Sequence, residues 1–355
     1  MKMKKLLYFL MMGLVFLSSC GKEDEDDDII NSASTYYYVL NEGNFGMGNA
    51  DVSVFDAKAK TIINNVFNTK NGRHLGDVAQ SVSRHNGKLY FVLNNSNKIE
   101  IAAEKTCAEL AVIKGLNLPR FIAFANTSTA WVSCWGENGM VSKVDLNSNK
   151  VVDSVATGTG PEEMLLDGNN LWVANSGGFM YDSTLSIINT LTSQKITTVE
   201  VGSNPASMVK DKNGKIWVLC RGRAIYDDSW TIIGHEASEL VQVNPTSYAI
   251  EKRITLFADQ HPAKLQINAA GDKLFFGAGY DFNGIYSLNI SDVSFANQKI
   301  INGIYYGFRL EPTSGDFYCL DAGNFQTAGS LKLFSSAGSL LGTYTAGLGP
   351  NSVEF

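Results

Sequence analysis

The chain repeats one pattern seven times: a strand rich in aromatic residues, a polar loop, and a second strand in which apolar and polar residues alternate. The aromatic strands read YYYVLN, KLYFVL, TAWVSC, NLWVAN, KIWVLC, KLFFGA and DFYCLD. Strand-only units repeated every roughly 40–50 residues are typical of β-propellers, in which each unit forms one blade.

The two ends of the repeat region complement each other. A Pro-containing turn opens most units, as in LNLPRFIAFA and GSNPASMVKD, but the first unit lacks such an opening strand. The chain ends with LGPNSVEF, an opening strand with no unit behind it. Pairing the two would leave no open sheet edge. We therefore predict an all-β, seven-bladed β-propeller over residues 35–355, closed by pairing of the C-terminal strand with the first blade.

The N-terminal segment predicts export and a membrane anchor. Three lysines precede an apolar run that is too short to span a bilayer, which is typical of a signal peptide, here residues 1–19. The LSSC sequence at 17–20 resembles a bacterial lipobox, which implies lipidation of Cys20; an ordinary cleaved signal is the alternative. Residues 20–34 contain an acidic run that cannot form a core and predicts a solvated tether.

Charge argues against nucleic-acid binding, and the positions of the cysteines argue against a disulfide framework. The formal net charge is −6 and no basic cluster is present, so nucleic-acid binding is not expected. Four cysteines remain besides Cys20: Cys107, Cys134, Cys220 and Cys319. They fall in different units, too far apart for disulfides, and we predict them to be small buried apolar residues.

One face of the predicted propeller carries the long loops. The loops after each aromatic strand, such as 42–51, 175–184 and 220–238, should lie on this face, whereas the opposite face carries short polar hairpins. The long loops are rich in aromatic side chains, amides and arginine. We predict as ligand contacts Phe45, Trp135, Phe179, Tyr181, Arg221, Arg223, Tyr226, Trp230, Tyr280, Phe282 and Phe325.

This composition suits a large, flat molecule with many amide groups, because aromatic rings pack on its apolar faces and Asn, Gln and Arg pair with its periphery. A glycan would also fit, and the same aromatic residues could instead brace the loops. His74, His235 and His261 lie on or near this face without metal-ligand spacing, so we predict no metal site and no cofactor.

The stretch from Leu171 to Gly222 resembles the YVTN-type propeller repeat. With the lipobox and acidic tether, the whole chain resembles surface propeller lipoproteins of Bacteroides that capture cobalamin (the BtuG family). That resemblance implies a lipid-anchored protein on the outer face of the outer membrane. It further implies a protein that binds cobalamin or related corrinoids and hands them to a TonB-dependent outer-membrane transporter.

Two other functions compete with capture. Asn41, Asn94, Asn175 and Asp321 end equivalent strands, and with Glu162 or Glu163 they could hold calcium, as in lactonase-like hydrolases. Most of these donors are neutral amides, whereas calcium prefers carboxylates, and Asn or Asp at a strand end usually caps a turn. The other alternative is a surface scaffold that binds proteins or glycans. We favour a non-enzymatic binding protein.

Overall fold

The computed structural model describes residues 35–136 and 138–355 of the chain. The predicted signal peptide, the lipidation site Cys20 and the tether to residue 34 lie outside the described residues. Within the described part, no helix combines the length and the apolar character needed to cross a membrane.

Seven four-stranded antiparallel sheets form the seven blades. Blade 1 combines β1 (Tyr36–Asn41), β2 (Asp51–Asp56) and β3 (Thr61–Ile63) with the last strand, β30 (Pro350–Glu354). Blades 2 and 3 comprise β4 (Ala79–His85), β5 (Lys88–Leu93), β6 (Lys98–Ala103) and β7 (Glu109–Ile113), followed by β8 (Pro119–Phe124), β9 (Thr129–Cys134), β10 (Met140–Asp145) and β11 (Lys150–Ala156). Blade 4 comprises β12 (Pro161–Asp167), β13 (Asn170–Asn175), β14 (Thr184–Asn189) and β15 (Gln194–Glu200).

Blade 5 comprises β16 (Pro205–Lys210), β17 (Ile216–Cys220), β20 (Ser238–Val243) and β21 (Ile250–Phe257). A separate two-stranded hairpin, β18 (Arg223–Tyr226) and β19 (Ile232–Glu236), is inserted in this blade. Blade 6 comprises β22 (Lys264–Ile267), β23 (Lys273–Gly277), β24 (Asn283–Asn289) and β25 (Lys299–Ile304). Blade 7 comprises β26 (Gly307–Leu310), β27 (Phe317–Asp321), β28 (Ala328–Phe334) and β29 (Leu340–Leu348). One short helix, α1 (Val66–Asn71), precedes blade 2.

The predicted closure is confirmed. Strand β30 pairs antiparallel with β1, with Val39 opposite Val353 and Leu40 opposite Ser352. The pairing continues beyond the strands, because the backbone N–H of Glu42 donates to the carbonyl of Gly349 over 2.9 Å. The last strand thus completes the first blade and seals the ring.

The aromatic repeat is explained by packing between blades. Each interface between adjacent blades encloses one hydrophobic cluster, and each cluster contains a buried aromatic residue from the second strand of the preceding blade. These residues are Tyr38, Tyr90, Trp131, Trp172, Trp217, Phe275 and Tyr318. Because large rings bury the most apolar surface, one ring per blade gives every interface a strong contact.

The Pro-turns have a common backbone geometry. Leu118, Gly160, Asn204 and Gly349 each precede the proline that begins an inner strand, and each has a positive φ between 51° and 62°. Gly and Asn adopt this left-handed conformation readily. The turn therefore directs the chain from an outer strand into the centre of the ring.

The four cysteines of the propeller are buried, as predicted. Cys134 and Cys220 end the second strands of blades 3 and 5, and Cys319 lies within that of blade 7.

Candidate functional site

The topology places most long connections on one face of the ring. In each blade, the loop after the second strand and the connection to the next blade lie at the same end of the sheet. This end, the long-loop face, includes the loops 42–50, 176–183 and 221–237. On the opposite face the long connection is 290–298, in blade 6. The predicted asymmetry is therefore present, with one exception.

A central cavity of about 570 Å³ opens at the long-loop face and is lined by the inner strands of all seven blades. Three ion pairs line it: Arg120–Glu162 at 2.7 Å, Lys264–Glu163 at 3.1 Å, and Arg309–Glu354 at 2.6 Å. The carboxylate of Glu163 also accepts a hydrogen bond from Ser207 over 2.6 Å. The cavity wall is therefore polar and charged, unlike the apolar interfaces between blades.

Arg120, Glu162 and Trp135 form a compact cluster at the mouth of this cavity. The Arg120 guanidinium donates two hydrogen bonds to Glu162, over 2.9 and 2.7 Å, and lies 3.9 Å from the centre of the Trp135 ring. The Trp135 indole N–H donates to the same carboxylate over 3.0 Å. Gly178 approaches the ring closely, since a Cβ at this position would lie 3.3 Å from it. Residues from blades 3 and 4 thus hold this indole rigidly.

Arg221 lies at the same mouth without a carboxylate within ion-pair distance in the described part of the chain. Its Nε is buried and has no hydrogen-bond partner. Burial lowers the pKa of the guanidinium, and the more distant charges of Glu162 and Asp281 offset this only in part. The result is a half-buried positive charge that faces the cavity without an ion-pair partner among the described residues.

Glu42 and Tyr306 form a second titratable pair at the blade 7 side of the mouth. The Tyr306 hydroxyl and the Asn351 Nδ2 hydrogen-bond to the Glu42 carboxylate, the latter over 3.2 Å. Burial raises the pKa of both Glu42 and Tyr306. Sequence reasoning missed Glu42, Asn204 and Asn351, because each is a single polar residue in a turn with no motif around it.

The predicted contact residues divide by exposure. Those that project from the long-loop face are Phe45, Phe179, Tyr181, Tyr226, Trp230 and Tyr280, with exposed fractions from 49% to 82%. Those that are half-buried are Trp135, Arg221, Arg223 and Phe325. The six exposed rings stand on loops of blades 1, 4, 5 and 6 at this face, and we call them the aromatic collar; Tyr280 among them lines the cavity.

Contacts between loops of neighbouring blades brace the collar. Phe179 packs edge-on against Trp135 with 5.3 Å between the ring centres, and Tyr280 stacks on Phe325 with 5.5 Å between the ring centres. Arg223 lies 3.6 Å from the centre of the Tyr181 ring. These rings therefore brace the loops and still present exposed surface, so the bracing interpretation and the ligand interpretation are compatible.

The prediction that Phe282 contacts the ligand is wrong. It is only 3% exposed and packs in the hydrophobic cluster between blades 5 and 6, with ring contacts of 5.3 Å to Phe257 and 5.7 Å to Tyr286. The prediction placed it on the ligand face because it follows Tyr280 in the same loop. The chain turns inward between the two, so Phe282 supports the loop from below.

Arg223 differs from Arg221 although only one residue separates them. Its guanidinium forms a 2.7 Å ion pair with Glu236, across the β18–β19 hairpin. This pairing lowers the pKa of Glu236 to about 2. The charge of Arg223 is therefore compensated, and its role in the structure is to hold the hairpin and Tyr181 in place.

The histidines form local pairs. On the long-loop face His235 contacts His261 over 3.1 Å, and His261 also contacts the Arg221 carbonyl over 2.9 Å; burial lowers the pKa of His261. His74 bonds Asp51 over 3.0 Å. His85 stacks on Phe124 at the opposite face. No group of three or more His, Cys, Asp or Glu side chains that could hold a metal is found among the described residues.

Two oxygen donors of the calcium hypothesis, those of Asn41 and Asp321, accept hydrogen bonds within the protein, whereas the Asn175 Oδ1 has no partner among the described residues. Asn41 accepts from the Gly347 N–H over 3.0 Å, and Asn175 donates to Thr184 over 2.9 Å. Asp321 caps its turn by accepting from the Gly323 N–H over 2.9 Å and pairs with Lys332. Both glutamates named for this site, Glu162 and Glu163, already have cationic partners, so the set does not converge on one ion.

Comparison with solved structures shows the fold. The chain superposes on hydrazine synthase of Kuenenia stuttgartiensis with a TM-score of 0.62 at 12% identity, covering 78% of this chain and 89% of that chain. A quinonprotein alcohol dehydrogenase-like protein from Bacteroides thetaiotaomicron gives 0.64 at 14% identity, covering 91% and 78%. A candidate 6-phosphogluconolactonase from Bacteroides fragilis gives 0.64 at 11% identity, covering 91% and 99%. At such identities the likeness concerns architecture alone.

Sequence comparisons identify the family. No curated protein sequence matches the chain significantly. Residues 35–328, which span most of the propeller, match the model of a family described as a domain of unknown function (DUF5074). The chain therefore belongs to the DUF5074 family of β-propeller proteins.

Proposed function

We propose that this chain is a non-enzymatic capture protein, lipid-anchored on the outer face of the outer membrane. It binds cobalamin or a related corrinoid on the long-loop face and passes it to a TonB-dependent transporter. The observation that carries the proposal is the aromatic collar, whose exposed rings stand on the same face as the opening of the polar cavity. Exposed rings of this size are costly in water, so their clustering on one face favours a ligand surface.

The chemistry of the cavity matches an amide-rich ligand. Asn204 and Asn351 line it, and the Oδ1 atom of each is buried without a protein partner. A carboxamide N–H of a bound molecule would satisfy such an acceptor, and leaving it unmet costs about 1–3 kcal/mol. A corrin offers peripheral carboxamides for these acceptors and a flat apolar face for the collar. The braced loops reduce the entropy lost on binding.

The β18–β19 hairpin supports transfer to a membrane partner. Besides Tyr226 and Trp230, it exposes Ile232 and Ile233, which are 51% and 65% exposed. This apolar edge lies next to the collar, where a transporter would have to approach in order to receive the ligand. The hairpin therefore offers one continuous surface for both the ligand and the partner.

A lactonase-like hydrolase is less well supported. Among the calcium donors named from the sequence, the oxygens of Asn41 and Asp321 accept hydrogen bonds from backbone N–H groups, and Glu162 and Glu163 are paired with Arg120 and Lys264. A surface scaffold remains compatible with the exposed hairpin, but it gives no role to the cavity or to its unmet acceptors.

Calorimetric titration of the purified protein with cyanocobalamin tests the proposal. We expect tight binding of one corrinoid, and a loss of at least roughly 30-fold in affinity when Trp230 is replaced by alanine, the effect of a binding hot spot. Val293→Ala is the matched control, because Val293 is equally exposed, at 83%, but lies on the opposite face. Corrinoid binding that is absent, or equally affected by both substitutions, would reject the assignment.

A further inference from the structure

The lining of the cavity contains one positive charge in excess. Four basic side chains line it, and three of them have a carboxylate partner in the cavity: Arg120, Lys264 and Arg309. Arg221 is the fourth and forms no ion pair with any described residue. A chain with a net charge of −6 thus keeps an uncompensated cation at the mouth of its cavity.

This arrangement is costly for the protein by itself. The Nε of Arg221 is inaccessible to solvent and donates no hydrogen bond. Taking part of a charged group out of water without a hydrogen-bond partner is unfavourable, and buried cations in proteins are normally paired. A basic neighbour adds to the cost, since Arg120 repels Arg221. The carboxylate partner of Arg120, Glu162, is already shared with Trp135.

Beside the Arg221 Nε, a hydrogen-bond donor without a partner, lies an acceptor without a partner, the Oδ1 of Asn204. The backbone N–H of Arg221 donates to the Asn204 carbonyl over 3.0 Å, which fixes the two residues side by side. The Asn204 side chain lines the same cavity with its Oδ1 buried and unpartnered. The pair therefore offers a guanidinium for negatively charged oxygens and, next to it, an oxygen for an N–H or O–H group.

We propose that Arg221 and Asn204 form an oxyanion subsite, which takes a phosphoryl or carboxylate group of the captured ligand and a hydrogen-bond donor adjacent to that group. The planar fork of arginine matches both oxyanions and can bind two of their oxygens at once. The inference deepens the proposed function, on which it rests, by specifying one chemical group of the ligand. Trp135, held beside the subsite by Arg120 and Glu162, supplies a fluorescence signal close to it.

Titration of the purified protein with inorganic phosphate and with acetate, at constant ionic strength balanced by chloride, tests the subsite. We expect saturable, Trp-detected binding of phosphate in the wild type and a loss of at least roughly ten-fold in Arg221→Gln. The matched control is Arg253→Gln, which removes a guanidinium from the outer strand of the same blade; that guanidinium is already paired with Glu239 over 2.8 Å, so phosphate affinity should stay unchanged. Binding by acetate as well assigns the site to oxyanions in general, whereas binding by phosphate alone assigns it to phosphoryl groups.

Asn204→Asp provides an independent variant that should fold. Aspartate is nearly isosteric, tolerates the left-handed backbone at this position, and gives Arg221 the carboxylate it lacks. We expect a higher melting temperature and loss of phosphate binding. Wild-type protein that does not bind either anion, or folded Arg221→Gln or Asn204→Asp that binds phosphate as the wild type does, overturns the inference.

The outcome separates this inference from the proposed function. Corrinoid binding without Arg221-dependent anion binding rejects the subsite and leaves capture in place. Arg221-dependent phosphate binding without corrinoid binding rejects the corrinoid assignment and leaves the oxyanion subsite, which then directs the search to other anionic ligands.

Discussion

Glu162→Gln tests how the mouth of the cavity is held together. The side chains of Arg120 and Glu162 are each only 12% exposed, and Glu162 accepts hydrogen bonds from both Arg120 and Trp135. Removing one partner of a buried ion pair leaves the other charge uncompensated and costs about 3–5 kcal/mol. Because a little water reaches both side chains, we expect the lower end of that range, a loss of about 3 kcal/mol in the free energy of unfolding.

Urea denaturation followed by circular dichroism measures this loss, since urea is uncharged and does not screen ion pairs. Glu251→Gln is the control, because it makes the same chemical change in the exposed 2.7 Å pair between Glu251 and Lys215. Solvent and ions screen such a pair, so a much smaller loss is expected. Equal losses in the two variants would refute the view that the cavity mouth is electrostatically coupled and desolvated.

Phosphate affinity gives a second readout for the same substitution. Glu162 is the carboxylate that acts most strongly on the Arg221 guanidinium. Removing its negative charge should therefore raise the affinity of the subsite for phosphate several-fold. An unchanged or lower affinity in folded Glu162→Gln would contradict the placement of the two groups at one mouth.

Three further outcomes follow from burial. Phe282→Ala should lower the free energy of unfolding by about 3–5 kcal/mol in urea denaturation and leave the ligand face intact, because Phe282 is a core residue; a urea denaturation curve like that of the wild type would contradict its burial. Val353→Ala should cost about 2 kcal/mol in the same assay, since Val353 is fully buried where β30 closes the ring, whereas Leu341→Ala, at an exposed site in blade 7, should be nearly neutral. The folded-state pKa of Glu42 is raised, so its contribution to stability is greatest below its ordinary value near 4.5 and is lost as pH rises above it. Glu42→Gln should therefore be more stable than the wild type at neutral pH and gain nothing in acid; thermal melts at both pH values check the sign, and a variant that is less stable at neutral pH would refute it.

The architecture separates the parts that give stability from those that can bind. The hydrophobic clusters lie between blades, and each has its own buried aromatic residue. The loops of the long-loop face contribute few residues to these clusters, so they can vary without loss of the fold. Phe282 is an exception, since it belongs to a loop of that face and to the core.

The sequence predicted part of the candidate site. Exposed aromatic residues such as Phe179 and Trp230 could be located because the repeat gives the position of each loop. The difference between Phe282 and Tyr280 could not be predicted, since both are aromatic residues in one short loop. Glu42 was missed because its importance comes from Tyr306 and Asn351, which are distant in the chain.

The repeat alone determined the number of blades, the closure by the last strand and the face that carries most long loops. This is because strand alternation, turn chemistry and interblade aromatics are local properties that recur in each unit. Only the tertiary structure decided the electrostatics of the cavity. Arg120 and Glu162 lie on the inner strands of different blades, and the ring brings them to the mouth at which Arg221 lies without an ion-pair partner among the described residues. Pairing, burial and pKa depend on three-dimensional neighbours, which no spacing in this chain specifies.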